Sequence, residues 1–251
     1  MGVILKFMAD MLRIFIIIFL LGSICACERA DFEKAHRAYL DADYENALMQ
    51  LKTLANADDE KAQNNLGYMY LNGIGIEKNF TKALKWYREA AQQGVAEAQH
   101  SLGFMYAEGL GTAAVPDIAL KWYRLSAEQG LSQAQFNLAY MIERGIGIRR
   151  DNGKVFHWYE KSAEQGNLIA QHKVASMYLH GIGVEQNRLM SYAWFGVASA
   201  GGYERAIGLR EAIAIQFNSR QLENARNMAR ELWLMHSLGE IDRTAQKDML
   251  E

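Results

Sequence analysis

Proline is almost missing from this sequence, and its scarcity bears on the class of fold. The chain has 1 proline among 251 residues, against 21 glycines, whereas average usage would give roughly a dozen prolines. Collagen-like, proline-rich and mucin-like chains are therefore excluded. Since proline is the residue that breaks helices most strongly, the imbalance predicts long uninterrupted helices with glycine at fixed places between them.

An excess of charge of one sign is also lacking. The formal net charge is −2, with 22% of the residues charged and 50% hydrophobic. Such a composition is typical of a folded protein and not of a disordered one. Nucleic-acid binding normally requires a basic face, so we expect no nucleic-acid partner.

The amino terminus has the pattern of an export signal. Residues 14–21 form an apolar run that follows Lys6 and Arg13 and precedes small residues, which is typical of such signals. Residues 11–26 number only 16, fewer than the about 20 that span a bilayer. We predict an export or lipoprotein signal over residues 1–26, and the alternative is an uncleaved membrane anchor.

Cysteine occurs only twice, at the end of this segment. The run Ile24-Cys25-Ala26-Cys27 resembles the lipobox of bacterial lipoproteins, which implies that Cys27 carries the lipid and begins the mature chain. The mature chain then contains no disulfide. By the same resemblance, Glu28 after the cysteine favours the outer membrane. Asp10 is unusual in a basic lead, so both Met1 and Met11 are candidate start sites.

A 36-residue period organises the rest of the chain, and such self-similarity indicates a repeat protein. Four kinds of residue recur at this step. They are the alanines Ala62, Ala98, Ala134, Ala170 and Ala206, the tryptophans Trp86, Trp122, Trp158 and Trp194, the aromatic residues that follow them, and the glycine pairs Gly73/Gly75, Gly109/Gly111, Gly145/Gly147 and Gly181/Gly183.

Each copy predicts two helices. The first, near 60–72, has apolar residues at helical spacing and ends at a Gly-x-Gly loop, where glycine accepts positive φ. The second, near 80–93, carries the tryptophan stripe, which we interpret as core. Pro116, the single proline, lies at the start of a second helix, where it removes no hydrogen bond. Small residues at Gly67 and its equivalents, Gly103, Ala139 and Ala175, predict close approach of the paired helices.

The segments AQNNLGYMYLNGIGI and KALKWYREAAQQG of the first copy resemble the Sel1-like repeat, a relative of the tetratricopeptide repeat. The resemblance covers residues 60–203 and implies an all-α fold, an α-solenoid of Sel1-like or tetratricopeptide-like helix pairs in a right-handed superhelix. The predicted regions are the N-terminal tetratricopeptide-like pair 28–59, the repeats 60–95, 96–131, 132–167 and 168–203, the C-terminal capping helices 204–239, and the polar tail 240–251.

Motifs that carry chemistry are scarce. The sequence has no Gly-x-Ser-x-Gly elbow, no His-Glu-x-x-His and no phosphate loop, and His172 and His180 lack a third metal ligand. We expect no catalysis, no cofactor, no metal and no small-molecule substrate. Some cysteine-rich relatives of the family are linked to penicillin binding and β-lactam hydrolysis, but the cysteine pair of each of their repeats is missing here.

The resemblance also implies a partner-binding surface. In tetratricopeptide relatives the concave-facing positions correspond to those two before and two after Leu66. Carried over, these positions are Asn64, His100, Phe136 and His172 in one row and Tyr68, Phe104, Tyr140 and Ser176 in the other. Glu108, Arg144 and His180 would line one edge. The predicted partner-binding residues are Asn64, Tyr68, His100, Phe104, Phe136, Tyr140, Arg144 and His172. The alternative is that these rings pack between adjacent helices.

Together these features predict an exported, lipid-anchored, periplasm-facing adaptor that binds a protein or peptide on the concave face of a helical array. Binding through the convex side or the end units is the alternative within this class. A regulator of an envelope sensor kinase and a hydrolase are the other functions considered.

Overall fold

The computed structural model describes the backbone of residues 31–250 and the side chains as far as Met235. The predictions for the export signal and for Cys27 therefore lie outside the described residues. All regular secondary structure within residues 31–250 is α-helical. In chain order these are α1 (31–40), α2 (Tyr44–Asn56), α3 (Glu60–Asn72), α4 (Phe80–Gln92), α5 (Ala96–Glu108), α6 (Pro116–Glu128), α7 (Ser132–Arg144), α8 (Asn152–Glu164), α9 (Leu168–His180), α10 (Arg188–Ala200), α11 (Arg205–Ala214) and α12 (Ser219–Leu250).

The chain divides into two compact units. Among the described residues, the first comprises residues 31–98 together with Leu110–Thr112, and the second comprises Gln99–Gly109 and residues 113–250. None of the described helices combines the length and apolar character needed to cross a bilayer.

The helix pairs repeat at the predicted 36-residue step, which confirms the all-α repeat fold. Side chains cap most of the described helix starts. Asn79 accepts a hydrogen bond from the Lys82 amide at 2.9 Å, and Asn187 accepts one from the Met190 amide at 3.0 Å. The start of α6 has no such cap, and Pro116 occupies its first turn. Proline there has no amide hydrogen to leave unpaired, so the chain's one proline stands where it costs least.

The two helices of a repeat pack closely at the small residues Gly67 and Gly103, as the sequence predicts. A Cβ on Gly67 would lie 2.8 Å from the ring of Tyr87, and one on Gly103 would lie 2.9 Å from the ring of Tyr123. These aromatic side chains are almost fully buried, as are their equivalents Tyr159 and Phe195. Each first helix therefore packs on the ring that follows the tryptophan.

Pairs of glutamines add a repeated polar contact inside this packing. Gln63, Gln99 and Gln135 are buried, and each side-chain carbonyl accepts a hydrogen bond from the glutamine 30 residues later, at 2.9, 2.8 and 2.8 Å. In the fourth copy Gly201 replaces the donor. The Oε1 atom of Gln171 is buried there and has no hydrogen-bond partner among the described residues.

The last repeat is modified to receive a terminal helix. The outward positions that carry polar or charged side chains in α4 become small or apolar in α10, as Ala193, Gly196, Val197 and Ala200 replace Lys85, Arg88, Glu89 and Gln92. Helix α12 packs on α10. A Cβ on Gly196 would lie 3.3 Å from the Cβ of Ala229, so glycine permits this close approach.

Helix α12 runs beyond the region over which the sequence predicts capping helices. Asn218 and Gln221 cap its start reciprocally, each side-chain oxygen accepting from the other residue's amide at 2.9 and 3.1 Å. The sequence predicts capping helices over 204–239 and a polar tail over 240–251, whereas the backbone is helical to Leu250. The segment contains no proline and is rich in good helix formers, so polarity alone does not end the helix.

Candidate functional site

The predicted partner-binding residues fall into two rows with different environments. The inner row is half-buried and consists of Asn64, His100, Phe136 and His172. Each of these residues lies two positions before the buried aliphatic residue of its first helix, which is Leu66, Leu102, Leu138 or Val174. The outer row, two residues after that aliphatic residue, is largely exposed. Tyr68, Phe104 and Tyr140 keep 48%, 39% and 40% of their surface accessible, while Ser176 is half-buried.

The inner row packs within its own repeat. The ring centroid of Phe136 lies 5.5 Å from that of Tyr159, and the centroid of His172 lies 5.3 Å from that of Phe195. The same 23-residue relation joins His100 to Tyr123, at 5.6 Å. These residues therefore have the helix-to-helix packing role that the sequence left as an alternative, and their contact with a partner stays a prediction.

The outer row of the second unit borders a pocket of about 430 Å³ between α5, α6 and α7. Phe104 and Tyr140 form two of its walls, Ile146 from the following loop forms a third, and Glu108 and Asn137 are among its polar groups. We call this space the aromatic pocket. It has the size and mainly apolar lining with a few polar groups that binding sites typically have.

A partly buried hydrogen bond holds Asn137, one of the residues that line the aromatic pocket. The Asn137 Nδ2 atom lies 3.0 Å from His100 Nε2. Burial lowers the pKa of His100, which disfavours its positive charge. Burial, and secondly the negative charge of Glu108, raise the pKa of Tyr123, although a hydrogen bond with Asn137 opposes the change. Both shifts favour the uncharged forms, so Tyr123 and Asn137 give the pocket polar groups without charge.

Charge is confined to the rim of this pocket. Glu108 supplies a carboxylate, and the guanidinium of Arg144 lies 5.5 Å from the centroid of the Tyr140 ring. This contact is a cation–π interaction. An exposed aromatic side chain braced by an arginine, with an opposite charge on the pocket lining, suits the capture of an extended segment more than chemistry on a small molecule.

A fixed ion pair lies on the neighbouring part of the same surface, and the sequence interpretation missed it. Lys173 Nζ lies 3.0 and 2.9 Å from the two carboxylate oxygens of Glu143, and the Tyr159 hydroxyl donates to one of them at 2.8 Å. Burial opposes ionisation of Glu143, but the hydrogen bonds from Lys173 and Tyr159 outweigh it and lower the pKa. The pair links α7 to α9 through charges that neutralise each other.

A comparison of equivalent positions in the four repeats could have indicated this ion pair. The other three copies have Leu71, Ala107 and Leu179 at the position of Glu143, and Asn65, Ser101 and Asn137 at that of Lys173. Opposite charges 30 residues apart, at positions that are otherwise uncharged, indicate a contact between successive first helices. Among the residues with described side chains, no three His, Cys, Asp or Glu residues come together as metal ligands.

A helix pair repeated at a constant 36-residue step defines a helical repeat protein of the tetratricopeptide-related class. The model of one family, the Sel1 repeat, matches residues 60–95, 96–131, 132–167 and 168–203. The chain belongs to the Sel1 repeat family, with the repeat boundaries that the sequence predicted. Sel1 repeat proteins generally mediate protein–protein interactions, and their all-helical fold is typical of non-enzymatic proteins.

Two solved structures resemble the chain closely enough to be informative. A Sel1 repeat protein from Oxalobacter formigenes is 28% identical, with a TM-score of 0.69 over 80% of this chain and 82% of that one. A protective antigen present in uropathogenic Escherichia coli strains, displaying an SLR fold, is 26% identical with a TM-score of 0.57. That match covers 87% of this chain but 56% of the antigen, so the chain spans little more than half of it. No curated protein matches the sequence significantly.

Proposed function

We propose that this protein is an exported, lipid-anchored adaptor of the bacterial envelope that binds a partner protein or peptide at the aromatic pocket. The observation that carries the proposal is the pocket itself, bordered by the exposed rings of Phe104 and Tyr140. Aromatic side chains dominate the binding energy of many interfaces. They offer a large contact area for little loss of conformational entropy.

In this proposal the partner binds to a preformed surface, the aromatic pocket, and no chemical step follows. An apolar side chain of the partner enters between Phe104 and Tyr140, and Glu108 and Arg144 orient its flanking polar groups. Because Asn137 of the pocket lining is already held by its hydrogen bond with His100, little of this lining has to become ordered on binding. Preorganisation of this kind lowers the entropic cost of association.

The location at the envelope rests on the sequence. The lipobox-like run that ends at Cys27 supports attachment to the periplasmic side of a membrane, the outer membrane in particular. A lipid anchor would confine the adaptor to the membrane surface and raise its local concentration near membrane-bound partners.

Lipid attachment is tested by labelling growing cells with an alkyne-bearing fatty acid. The native chain and the Cys25→Ser control should take up the label, whereas Cys27→Ser should not. A native chain that stays in the membrane without label would support the uncleaved anchor, and the lipoprotein proposal would then be wrong.

Partner binding is tested by cross-linked capture from membranes, with quantitative comparison of variants. Phe104→Ala and Tyr140→Ala should each lower recovery of a specific partner at least tenfold, since truncating an interface aromatic commonly costs about 2 kcal/mol or more. Leu125→Ala is the matched control, because Leu125 is 44% exposed but lies on α6 outside the pocket lining. Equal recovery by all four chains would count against the aromatic pocket as the binding site.

A further inference from the structure

A second pocket, of about 210 Å³, lies at the C-terminal end of the second unit and takes no part in the function proposed above. Its basic lining comes from Arg210 of α11 and from Arg226 and Arg230 of α12, and Trp233 closes one side. We call it the arginine pocket. Its remaining walls are apolar or small, with Val197, Ala200 and Ala229 among them.

The modified last repeat creates this space. Gly196 stands where the three earlier copies have Arg88, Arg124 and Glu160, so no long side chain of α10 fills the gap under α12. The absence of a side chain here lets the two helices meet at Gly196 and Ala229. The pocket beside this contact is therefore a consequence of how the array ends.

Arg210 is held in position within the pocket. Its guanidinium donates to the Ser199 hydroxyl at 3.0 Å, and that hydroxyl donates to the carbonyl of Gly196 at 2.9 Å. The residue is only half-exposed. A fixed guanidinium offers its remaining N–H groups to a ligand at a smaller entropic cost than a mobile surface cation does.

Within the described side chains, no acidic group lines the pocket to offset its positive charge. Arg226 and Arg230 are four residues apart on one helix face, a spacing at which like charges repel. Among the side chains that the structure describes, neither these two arginines nor Arg210 forms an ion pair. Three such charges beside apolar walls attract an anion.

We infer that the arginine pocket binds a carboxylate side chain of an acidic protein segment, with an adjacent apolar residue of that segment lying against Trp233. The planar fork of arginine matches a carboxylate with two parallel hydrogen bonds. Trp233 is 41% exposed and supplies the apolar contact. The volume suits one or two side chains, since pockets for whole small-molecule ligands are about 300–1,000 Å³.

This site is separate from the aromatic pocket, because the two linings share no residue. A partner that carries an acidic segment would gain a second point of attachment on the same unit. The inference stands or falls without the aromatic pocket, and the experiment below keeps the two apart.

Fluorescence anisotropy with the full chain tests the inference directly. The probe is a short fluorescein-labelled peptide of alternating glutamate and leucine, and the control peptide has lysine in place of glutamate. The glutamate peptide should bind and the lysine peptide should not, and binding should weaken as salt is added. No binding of the glutamate peptide, or equal binding of both, overturns the inference.

Variants locate the binding. Arg226→Gln and Arg230→Gln should each weaken the glutamate peptide about tenfold or more, the effect expected of a hydrogen bond between charged groups. Both residues are exposed, so these changes should leave the fold intact. Arg210→Gln tests the half-exposed arginine of the same pocket, and it should also weaken binding of the peptide. Arg220→Gln is the matched control, because Arg220 is exposed on the same helix but lies outside the pocket lining. Equal loss in Arg220→Gln would indicate general charge attraction and overturn the inference.

Two further arms separate the rival explanations. Phe104→Ala and Tyr140→Ala should leave binding of the glutamate peptide unchanged, so that failure of the aromatic pocket is distinguishable from failure of this one. Vesicles of phosphatidylglycerol are the rival source of anions. Arginine-dependent binding to these vesicles without binding of the peptide would assign the site to a lipid headgroup and contradict the inference.

Discussion

Truncating one ring of each row separates packing from recognition. Phe136, in the inner row, is half-buried with its ring centroid 5.5 Å from that of the buried Tyr159. Phe104, in the outer row, is 39% exposed and borders the aromatic pocket. The same change, phenylalanine to alanine, therefore tests two environments within one unit.

The expected magnitudes follow from burial. Phenylalanine-to-alanine changes in cores cost about 3–5 kcal/mol because packing is lost and a cavity remains. Since Phe136 is not fully buried, we expect Phe136→Ala to lower the free energy of unfolding by about 2–4 kcal/mol. Phe104 is more exposed, so Phe104→Ala should cost about 1–2 kcal/mol, less than Phe136→Ala.

Urea unfolding followed by far-ultraviolet circular dichroism measures both values. Repeat proteins depart from two-state unfolding, so the midpoints of the transition that contains the second unit should be compared, together with a second probe such as tryptophan fluorescence. The reasoning would be refuted if Phe104→Ala destabilised the protein as much as Phe136→Ala. Both rows would then belong to the core, and the pocket would lose its exposed aromatic wall.

Three further predictions concern packing and charge elsewhere in the repeats. Gly103→Ala should destabilise the protein by about 1–2 kcal/mol, because the new methyl group would overlap the buried ring of Tyr123. Gly208→Ala, with no atom within 4 Å of its new Cβ, should stabilise it by about 0.5–1 kcal/mol. Equal shifts of the two variants in thermal melts would contradict the close approach of α5 to the Tyr123 ring. Gln135→Leu should cost about 0.5–1.5 kcal/mol more than Gln171→Leu, because both changes remove a hydrogen bond to a backbone carbonyl but only the first also removes the hydrogen bond from Gln165; equal unfolding midpoints in urea would refute this. Since the folded-state pKa of Glu143 is lowered, its contribution is present above its unfolded pKa and is lost as the pH falls through the folded value; Glu143→Gln should therefore flatten the acid limb of stability against pH, and an unchanged limb would contradict the ion pair.

Most of the fold was predictable because the same helix-pair pattern occurs in four copies of the repeat. Equivalent residues at a constant step fix the helix pairs without any knowledge of packing, and Gly73 and its equivalents mark where each first helix ends. The end of α12 escaped prediction for the opposite reason. It occurs once, so no repeated stop signal marks its end, and the polar composition of residues 240–251 suggested a tail.

The candidate site was predictable only in part. Tyr140 and His100 lie four positions apart in the repeat register and are both polar and aromatic, so sequence alone does not separate them. The difference arises in three dimensions, because the ring of Tyr123 occupies the space next to His100 and leaves the outer row open. The pairing of Glu143 with Lys173 likewise depends on the contact between two first helices that are distant in sequence.

Site-specific photo-cross-linking in living cells tests the central claim most directly. A photoreactive phenylalanine analogue would replace Tyr140 in one chain and Leu125 in another, each made in the native host. The account predicts a discrete cross-linked partner from position 140 and none from position 125. Cross-linking from position 125 alone, or from neither position, would contradict recognition at the aromatic pocket.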